Sequence, residues 1–503
     1  MLEFKNISVW LTIDDRHIID DFNFTLNPGD KAVIIGEEGN GKSTLLKLVY
    51  NEASVLGYCG YSGKIIKKGT LGYLPQSLPE ADGDLSLEQY FSGFDAYVNA
   101  HTLRQLGLSP LWASSGQPIK TLSGGEKVKV QLAWILMSQP DILILDEPTN
   151  DIDIETLAWL EGFINNCKLP VLFVSHDETL IENTANCVIH IEQLVRKTKC
   201  RITVARCGYA EYVEHRNLTF EKQGMVARKQ RTDHDRQMDK WRQVYNRVDH
   251  EQRVITRGNP SGGRLLKKKM HAVKSQGRRL EKQEEDFLEI PQTEQAILTR
   301  FSSDIFLPGS KTVLDLFLPE LAAAGKALSR NVELKVIGGE HVGIIGKNGA
   351  GKTTLLEVIW NALKDRKDIK PYYMPQDYAR NLDYSQTVID YLATKDTKNT
   401  KEFITKARTY LGSMKFTHEE TTGRIEKLSG GQKAKLLFLE MVLLGANVLI
   451  LDEPTRNFSP LSNPVIRATL AEFNGAIISV SHDRKYLDEV CDTIYELTGE
   501  GLL

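Results

Sequence analysis

Apolar residues fall along this chain in three distinct patterns. Ile142–Leu145 and Val448–Leu451 are continuous apolar runs, as expected of strands buried on both faces of a parallel sheet. Lys31–Ile35 and His341–Ile345 are short apolar strands that run straight into glycine-rich turns. Behind each turn, Lys42–Val49 and Lys352–Trp360 carry leucines and other apolar residues at helical spacing. Strands alternating with helices predict α/β domains.

The middle of the chain has another texture. From Phe220 to Ile255 no proline or turn cluster interrupts the sequence apart from Gly224. Met238, Trp241, Tyr245 and Val248 recur there at steps of 3, 4 and 3, the stripe of a helix that packs on another helix. Gly258-Asn259-Pro260-Ser261-Gly262-Gly263 then breaks the chain. Leu266, Val273, Leu280 and Phe287 follow at heptad spacing. The prediction is a helical hairpin with its tip at Thr256–Gly263 and a first arm on the order of 50 Å long.

The outer parts repeat each other. GEEGNGKST at 36–44 recurs as GKNGAGKTT at 346–354, and LSGGEK at 122–127 as LSGGQK at 428–433. ILILDEPT at 142–149 recurs as VLILDEPT at 448–455, and VSHD at 174–177 as VSHD at 480–483. The last three pairs share one offset of 306 residues and the first is offset by 310, so two copies of one domain differ by small loop changes. The expected organisation is an α/β domain at 1–205, a basic α-helical linker at 206–299 and a second α/β domain at 300–503.

Composition adds one fact. The 503 residues carry a formal net charge of −3, yet Arg228–Lys282 holds 17 Lys or Arg against 6 Asp or Glu. That surplus of 11 positive charges leaves −14 for the remainder, and a basic segment on an acidic body suggests a polyanionic partner. No apolar run approaches the ~18 residues of a membrane helix, and the N-terminus lacks a signal-peptide pattern, so a cytoplasmic protein without a membrane partner is expected. The six scattered cysteines contain no CxxC pair and read as idle thiols.

The repeated motifs carry chemistry. GxxxxGK[ST] between a strand and a helix is a P-loop, whose amides wrap phosphates at a positive helix end. Gly36, Gly39 and Gly41, with Gly346, Gly349 and Gly351, supply that backbone. Lys42 and Lys352 are expected on the outer phosphates of ATP, Ser43 and Thr353 on Mg²⁺, and Thr44 and Thr354 beside them. Asp146 and Asp452 end buried strands where a carboxylate can hold the metal's water shell. Glu147 and Glu453 follow and are candidates for polarising the attacking water. His176 and His482 each lie 29 residues beyond their glutamate, a placement that fits a sensor of the γ-phosphate.

LSGG between the P-loop and the DEPT strand resembles the signature of the ABC family, so the fold implied is two tandem P-loop NTPase domains of the ABC-cassette type. The resemblance implies that Ser123, Gly124 and Gly125 cap the ATP on Lys352, and that Ser429, Gly430 and Gly431 cap the ATP on Lys42. Two nucleotides would then be sandwiched head to tail in an intramolecular cassette dimer, within a monomer. Gln76 and Gln376 match the family's Q-loops and would join the Mg²⁺ site. An aromatic near the N-terminus usually stacks on adenine in this family, and Trp10 is the candidate in the first half.

Tandem cassettes joined by a basic helical hairpin resemble the ABC-F family of ribosome-binding ATPases, and Gly208-Tyr209-Ala210-Glu211-Tyr212 looks like the turn into that family's linker. The resemblance implies a 70S ribosome as partner. The linker would meet large-subunit rRNA and the neighbouring tRNA near the peptidyl-transferase centre, with Lys and Arg gaining affinity by counterion release. Arg257, Asn259, Pro260, Arg264, Lys267, Lys268 and Lys269 are the candidates for that contact. After DEPT the first half reads Asn150-Asp151-Ile152-Asp153, close to the family's N-H-L-D. The second reads Arg456-Asn457-Phe458-Ser459-Pro460-Leu461-Ser462, which resembles the Vga/Lsa-type antibiotic-resistance branch. That branch protects ribosomes against lincosamides, pleuromutilins and streptogramin A. The change also predicts unequal ATP sites. The spacings of 81 residues from Lys42 to Ser123 and 77 from Lys352 to Ser429 leave little room for the arm of housekeeping factors. With 21 residues after His482, no rRNA-binding C-terminal extension is expected. A housekeeping translation factor and the ATP-hydrolysing subunit of a transporter are the alternatives.

Overall fold

The computed structural model describes every residue except 14, 96–97, 195–198, 255–259, 285–286, 289–300, 302–304, 324 and 396–400. It divides into two compact units, Met1–Ala210 with Glu294–Leu503, and Glu211–Thr293.

The first half of the larger unit starts with β1 (Leu2–Leu11) and β2 (His17–Leu26), followed by β3 (Lys31–Ile35), β4 (Cys59–Lys67) and β5 (Leu71–Leu74). Then come β6 (Ile142–Asp146), β7 (Val171–Val174), β8 (Cys187–Leu194) and β9 (Lys199–Ala205). β1 lies between β2 and β4 in an antiparallel sheet. The other six strands lie in the order β5-β6-β7-β3-β8-β9, parallel except for β9. β3, β6 and β7 are buried along their whole length, which is what their uninterrupted apolar sequences require. Among the helices, α1 (Lys42–Tyr50), α2 (Gly124–Met137), α3 (Ile154–Asn166) and α4 (Glu178–Thr184) bear on the site.

The smaller unit holds most of α5 (Tyr209–Val254) and all of α6 (Pro260–Glu284). Trp241 Nε1 donates to the Val273 carbonyl at 2.7 Å, and His234 Nε2 meets the Leu280 carbonyl at 3.0 Å. These pairings run in opposite directions along the two helices, so the arms are antiparallel. Val248, Met270 and Val273 form a small core with Trp241 and Tyr245, the residues of the predicted stripe. Gly277 lies under the Trp241 ring, where a Cβ would come within 2.6 Å of it.

Two expectations change here. α5 begins at Tyr209, 11 residues before the expected start, and its 46 residues reach about 70 Å at ~1.5 Å per residue. The predicted tip is also shorter. Pro260, Ser261, Gly262 and Gly263 belong to the first turn of α6, because proline at a helix start has its φ already set and no amide to waste. Arg257 and Asn259, two of the expected ribosome contacts, lie outside the described residues.

The second half of the larger unit repeats the first. Its strands are β10 (Thr312–Ala323), β11 (Lys326–Ile337), β12 (His341–Ile345), β13 (Pro371–Met374), β14 (Val448–Asp452), β15 (Ala476–Val480), β16 (Thr493–Thr498) and β17 (Gly501–Leu502). β10 and β11 pair as a ribbon, and the main sheet runs β13-β14-β15-β12-β16-β17, the same order as before. Its relevant helices are α7 (Lys352–Leu363), α8 (Gly430–Leu444), α9 (Asn463–Ala471) and α10 (Arg484–Val490). Among the described residues no helix is long and apolar enough to cross a membrane.

Candidate functional site

Strand order decides where the chemistry collects. β6, β7 and β3 are neighbours, so the loops at their carboxyl ends meet at one edge, where open α/β sheets place ligands. The P-loop follows β3, Asp146 closes β6 and His176 follows β7. β14, β15 and β12 do the same for Asp452, His482 and the second P-loop.

Each P-loop turns sharply into its helix. Gly41 and Gly351 cap α1 and α7 with φ of 86° and 100°, in the region glycine adopts without strain. Lys42 Nζ donates to the Gly36 and Glu37 carbonyls at 2.8 and 3.2 Å, and Lys352 Nζ to those of Gly346 and Lys347 at 2.7 and 3.1 Å. Burial pulls both ammonium groups below the ordinary lysine range, opposed by the nearby Glu147 and Glu453 carboxylates. Ser43 Oγ donates to Asp146 at 2.8 Å and Thr353 Oγ1 to Asp452 at 2.9 Å. Each pair brings a hydroxyl and a carboxylate together, the hard oxygen donors that Mg²⁺ selects. Burial raises the pKa of both aspartates.

Ser123 and Ser429 are the N-caps of α2 and α8. Each forms a capping box with the residue three further on, Glu126 or Gln432. The signature serines therefore hold their helix ends in shape, with the glycine amides next in line. Gly124 sits so close to the Asp151 carbonyl that a Cβ would lie 1.8 Å from it.

The two halves complete each other. A cavity of about 570 Å³ is lined by Lys352, Thr353, Thr354, Gln376, Asp452, Glu453 and His482 from one half and by Gly124, Asn150 and Asp151 from the other. Asn348 Nδ2 donates to the Asp151 carbonyl at 2.6 Å, and Arg456 pairs with the Asp151 carboxylate at 2.9 Å. On the pseudo-symmetric side, the Gly431 amide donates to the Glu38 carboxylate and Lys435 lies 3.3 Å from Glu37. Asn348, Glu37 and Glu38 were not singled out in the sequence, and Arg456 was named only as part of the changed D-loop. The signal was there: the repeat aligns Glu38 with Asn348 and Asn150 with Arg456.

The catalytic candidates are placed differently in the two halves. Glu147 and Glu453 both have left-handed backbones, with φ of 49° and 53°. Such conformations in non-glycine residues cost of order 1–3 kcal/mol and cluster at functional sites. His176 Nε2 lies 3.0 Å from Glu147 Oε1, and its Nδ1 meets the Phe458 carbonyl of the other half at 2.9 Å. Both ring nitrogens face oxygen acceptors, so the ring is held at each end. His482 Nε2 is 3.8 Å from Glu453, and its Nδ1 is buried without a hydrogen-bond partner among the described residues. Burial pushes the Glu147 carboxyl up, but the His176 imidazole and Lys42 pull it down further, to below the usual range. Burial and the adjacent Asp452 push Glu453 up to about 8, and burial with Lys352 lowers His482 to about 4.

Gln76 is exposed just beyond β5, whereas Gln376 lines the cavity. Trp10 stacks on His17 with ring centroids 5.7 Å apart and covers Gly60. Arg264, Lys267, Lys268 and Lys269 are exposed on α6.

The doubled P-loop sites, each closed by a signature helix from the opposite half, define a nucleoside triphosphatase of the cassette type. The chain belongs to the ABC transporter family, whose model matches residues 19–150 and 329–456, and it carries two cassettes in tandem. It is 28% identical to the protein named "Probable ATP-binding protein YheS" of Escherichia coli (strain K12), covering 95% of this chain and 76% of that one. It is likewise 28% identical to the ribosome protection protein VmlR of Bacillus subtilis (strain 168), covering 97% and 86%. Among solved structures it is similar in fold to the archaeal ribosome recycling factor aABCE1 in complex with the stalk protein aP1. There the TM-score is 0.59 at 16% identity, covering 99% of this chain and 89% of that one.

The unequal glutamates predict unequal pH profiles. A general base must be ionised, and Glu453 gains its charge only as pH rises through about 8. With Glu147→Gln the remaining ATPase should rise about tenfold per pH unit below that point. With Glu453→Gln, the remaining activity should be flat across neutral pH, because Glu147 is already ionised. Steady-state hydrolysis by the two variants from pH 6 to 9 checks this, and superimposable profiles would contradict it.

Proposed function

We propose that this chain is a cytoplasmic ABC-F ATPase that binds the 70S ribosome and uses α5 and α6 to protect it from antibiotics of the large subunit. ATP binds at both P-loops, with Lys42 and Lys352 on its outer phosphates and the opposite LSGG amides over it. Ser43 with Asp146, and Thr353 with Asp452, are the residues that would hold Mg²⁺, joined by Gln76 and Gln376. The metal supplies charge neutralisation on the phosphates when bound. Glu147 and Glu453 orient and deprotonate the attacking water, with His176 and His482 beside the γ-phosphate. Two closed sites hold the cassettes together, and hydrolysis releases them.

The observation that carries the ribosomal reading is the hairpin itself. Its stretch from Arg228 to Lys282 carries a net charge of +11, with Lys267, Lys268 and Lys269 exposed on α6, while its apolar residues are spent on pairing α5 with α6. A solvated spacer has no need of such a surplus, whereas an rRNA or tRNA backbone rewards it. The likeness to a relative named for ribosome protection supports the same reading. The protective role itself is supported by the second D-loop, Arg456 to Ser462, with its Vga/Lsa-like wording.

Replacing both Glu147 and Glu453 with Gln should give a protein that binds ATP, barely turns it over and sediments with 70S ribosomes. Adding Lys267→Glu, Lys268→Glu and Lys269→Glu should weaken that binding and reduce its log–log salt slope by up to about 3. The same three reversals in the otherwise unchanged chain should leave basal ATPase without ribosomes unaffected. Gradients at several salt concentrations measure this, and unchanged binding at moderate salt would mean that the hairpin is a spacer.

Expression in a drug-sensitive bacterium should raise resistance to lincosamides, pleuromutilins or streptogramin A and leave drugs of the small subunit unaffected. Substitution at Asn259, Pro260 or Arg264 should alter the drug profile more than ATP hydrolysis. A susceptibility panel on strains shown to make active protein tests this. Wild-type sensitivity would leave a housekeeping translation factor as the better account.

A further inference from the structure

The repeat offset of 306 residues holds from Ile142 through Asp177, so Glu161 corresponds to Arg467, Glu178 to Arg484 and Asn183 to Glu489. The two halves therefore carry Glu, Glu and Asn at positions where the other carries Arg, Arg and Glu. In the folded unit these positions meet across the cassette junction, where α4 touches α10. Arg467 Nη1 lies 2.8 Å from Glu178 Oε2, and Arg484 Nη2 lies 2.8 Å from Glu161 Oε2. Each bridge joins a position of one cassette to the other position of its partner, as a twofold relation demands. The third position follows the same logic within each half. Asn183 donates to Glu161 at 2.6 Å, and Glu489 accepts from Arg467 at 2.8 Å.

We propose that Glu161, Glu178, Arg467 and Arg484 are a charge code that makes each cassette pair with its unlike partner and not with its own kind. Pairing two first cassettes would set Glu161 against Glu178 at both places, and pairing two second cassettes would set Arg467 against Arg484. Specificity of this type needs a repulsive element as well as an attractive one. Lys485 strengthens the polarity. Its Nζ reaches Glu178 at 2.9 Å and Glu182 at 2.6 Å, and its counterpart in the first half is the uncharged Thr179. The cations thus come from the second cassette and the anions from the first.

Burial makes the inner pair consequential. The Arg467 side chain is 2% exposed and that of Glu178 8%, so loss of Glu178 leaves a buried guanidinium with Glu489 alone, and loss of Arg467 leaves a buried carboxylate with Lys485 alone. None of these side chains lines the nucleotide cavity, so the code can be altered without touching the P-loops, the signatures or the catalytic candidates.

The outer pair is the place to test it, because Glu161 and Arg484, 17% and 27% exposed, are less buried than Glu178 and Arg467, although Arg484 also lies 3.8 Å from the Asp177 carboxylate. Full-length Glu161→Arg, Arg484→Glu and the combined variant are compared for ATPase activity. Each single reversal places like charges across the junction and should lower the rate about tenfold. The combined variant restores opposite charges and should return to within about threefold of wild type. A neutral Glu161→Gln/Arg484→Gln protein, which removes attraction without adding repulsion, should fall less than either reversal. Single reversals at wild-type rates, or a combined variant no better than the worse single, would overturn the proposal.

Discussion

Neither half of this chain encloses a phosphate site alone, and most of its arrangement follows from that. A P-loop presents amides and one lysine to the phosphates but leaves their outer side open. The N-terminal amides of the opposite half's signature helix, the positive end of α2 or α8, close that side. The cavity lined by Lys352 and Gly124 and the junction of Glu38 with Gly431 are the two instances. A strand order that gathers the chemistry at one sheet edge, glycines that admit the D-loop, and unlike charges at the junction all serve this one closure.

The same closure makes the sites unequal. Each D-loop reaches into the other cassette's site, so a change in one loop is felt at the opposite glutamate. Phe458 is buried against Phe438, with ring centroids 5.6 Å apart, and this anchors the carbonyl that holds His176. In the other site Asp151 is occupied by Asn348 and Arg456, and His482 is left with a longer approach to Glu453. One glutamate is thereby kept ionised by its histidine and the other is pushed towards its neutral form by burial.

Much of this was legible in the sequence because local chemistry dictated it. Fully buried strands such as Ile142–Asp146 have few other ways to read, and a P-loop flanked by such strands has one geometry. The hairpin's stripe was equally plain, since Trp241, Tyr245 and Val273 must hide somewhere. What escaped notice depended on pairing at a distance. Glu38 and Asn348 look like ordinary surface residues until the opposite half supplies Gly431 and Asp151, and Arg456, noticed as a D-loop change, gains its partner Asp151 only there. The Glu161–Arg484 bridge spans 323 positions, and only aligning the repeats shows that its charges are swapped. Helix ends were misjudged where glycine was taken as a breaker, because Gly262 and Gly263 follow a proline that has already set the helix.

The central claim is that each P-loop is closed by the signature of the opposite cassette. Gly124→Val tests it most directly, since a side chain there must displace the Asp151 carbonyl at the Lys352 site. In a Glu147→Gln/Glu453→Gln background, photoreactive azido-ATP is cross-linked and the labelled peptides are identified by mass spectrometry. The account predicts that Gly124→Val abolishes labelling beside Lys352 and spares labelling beside Lys42. Loss of label beside Lys42, in the same cassette as the substitution, with label kept beside Lys352, would contradict it.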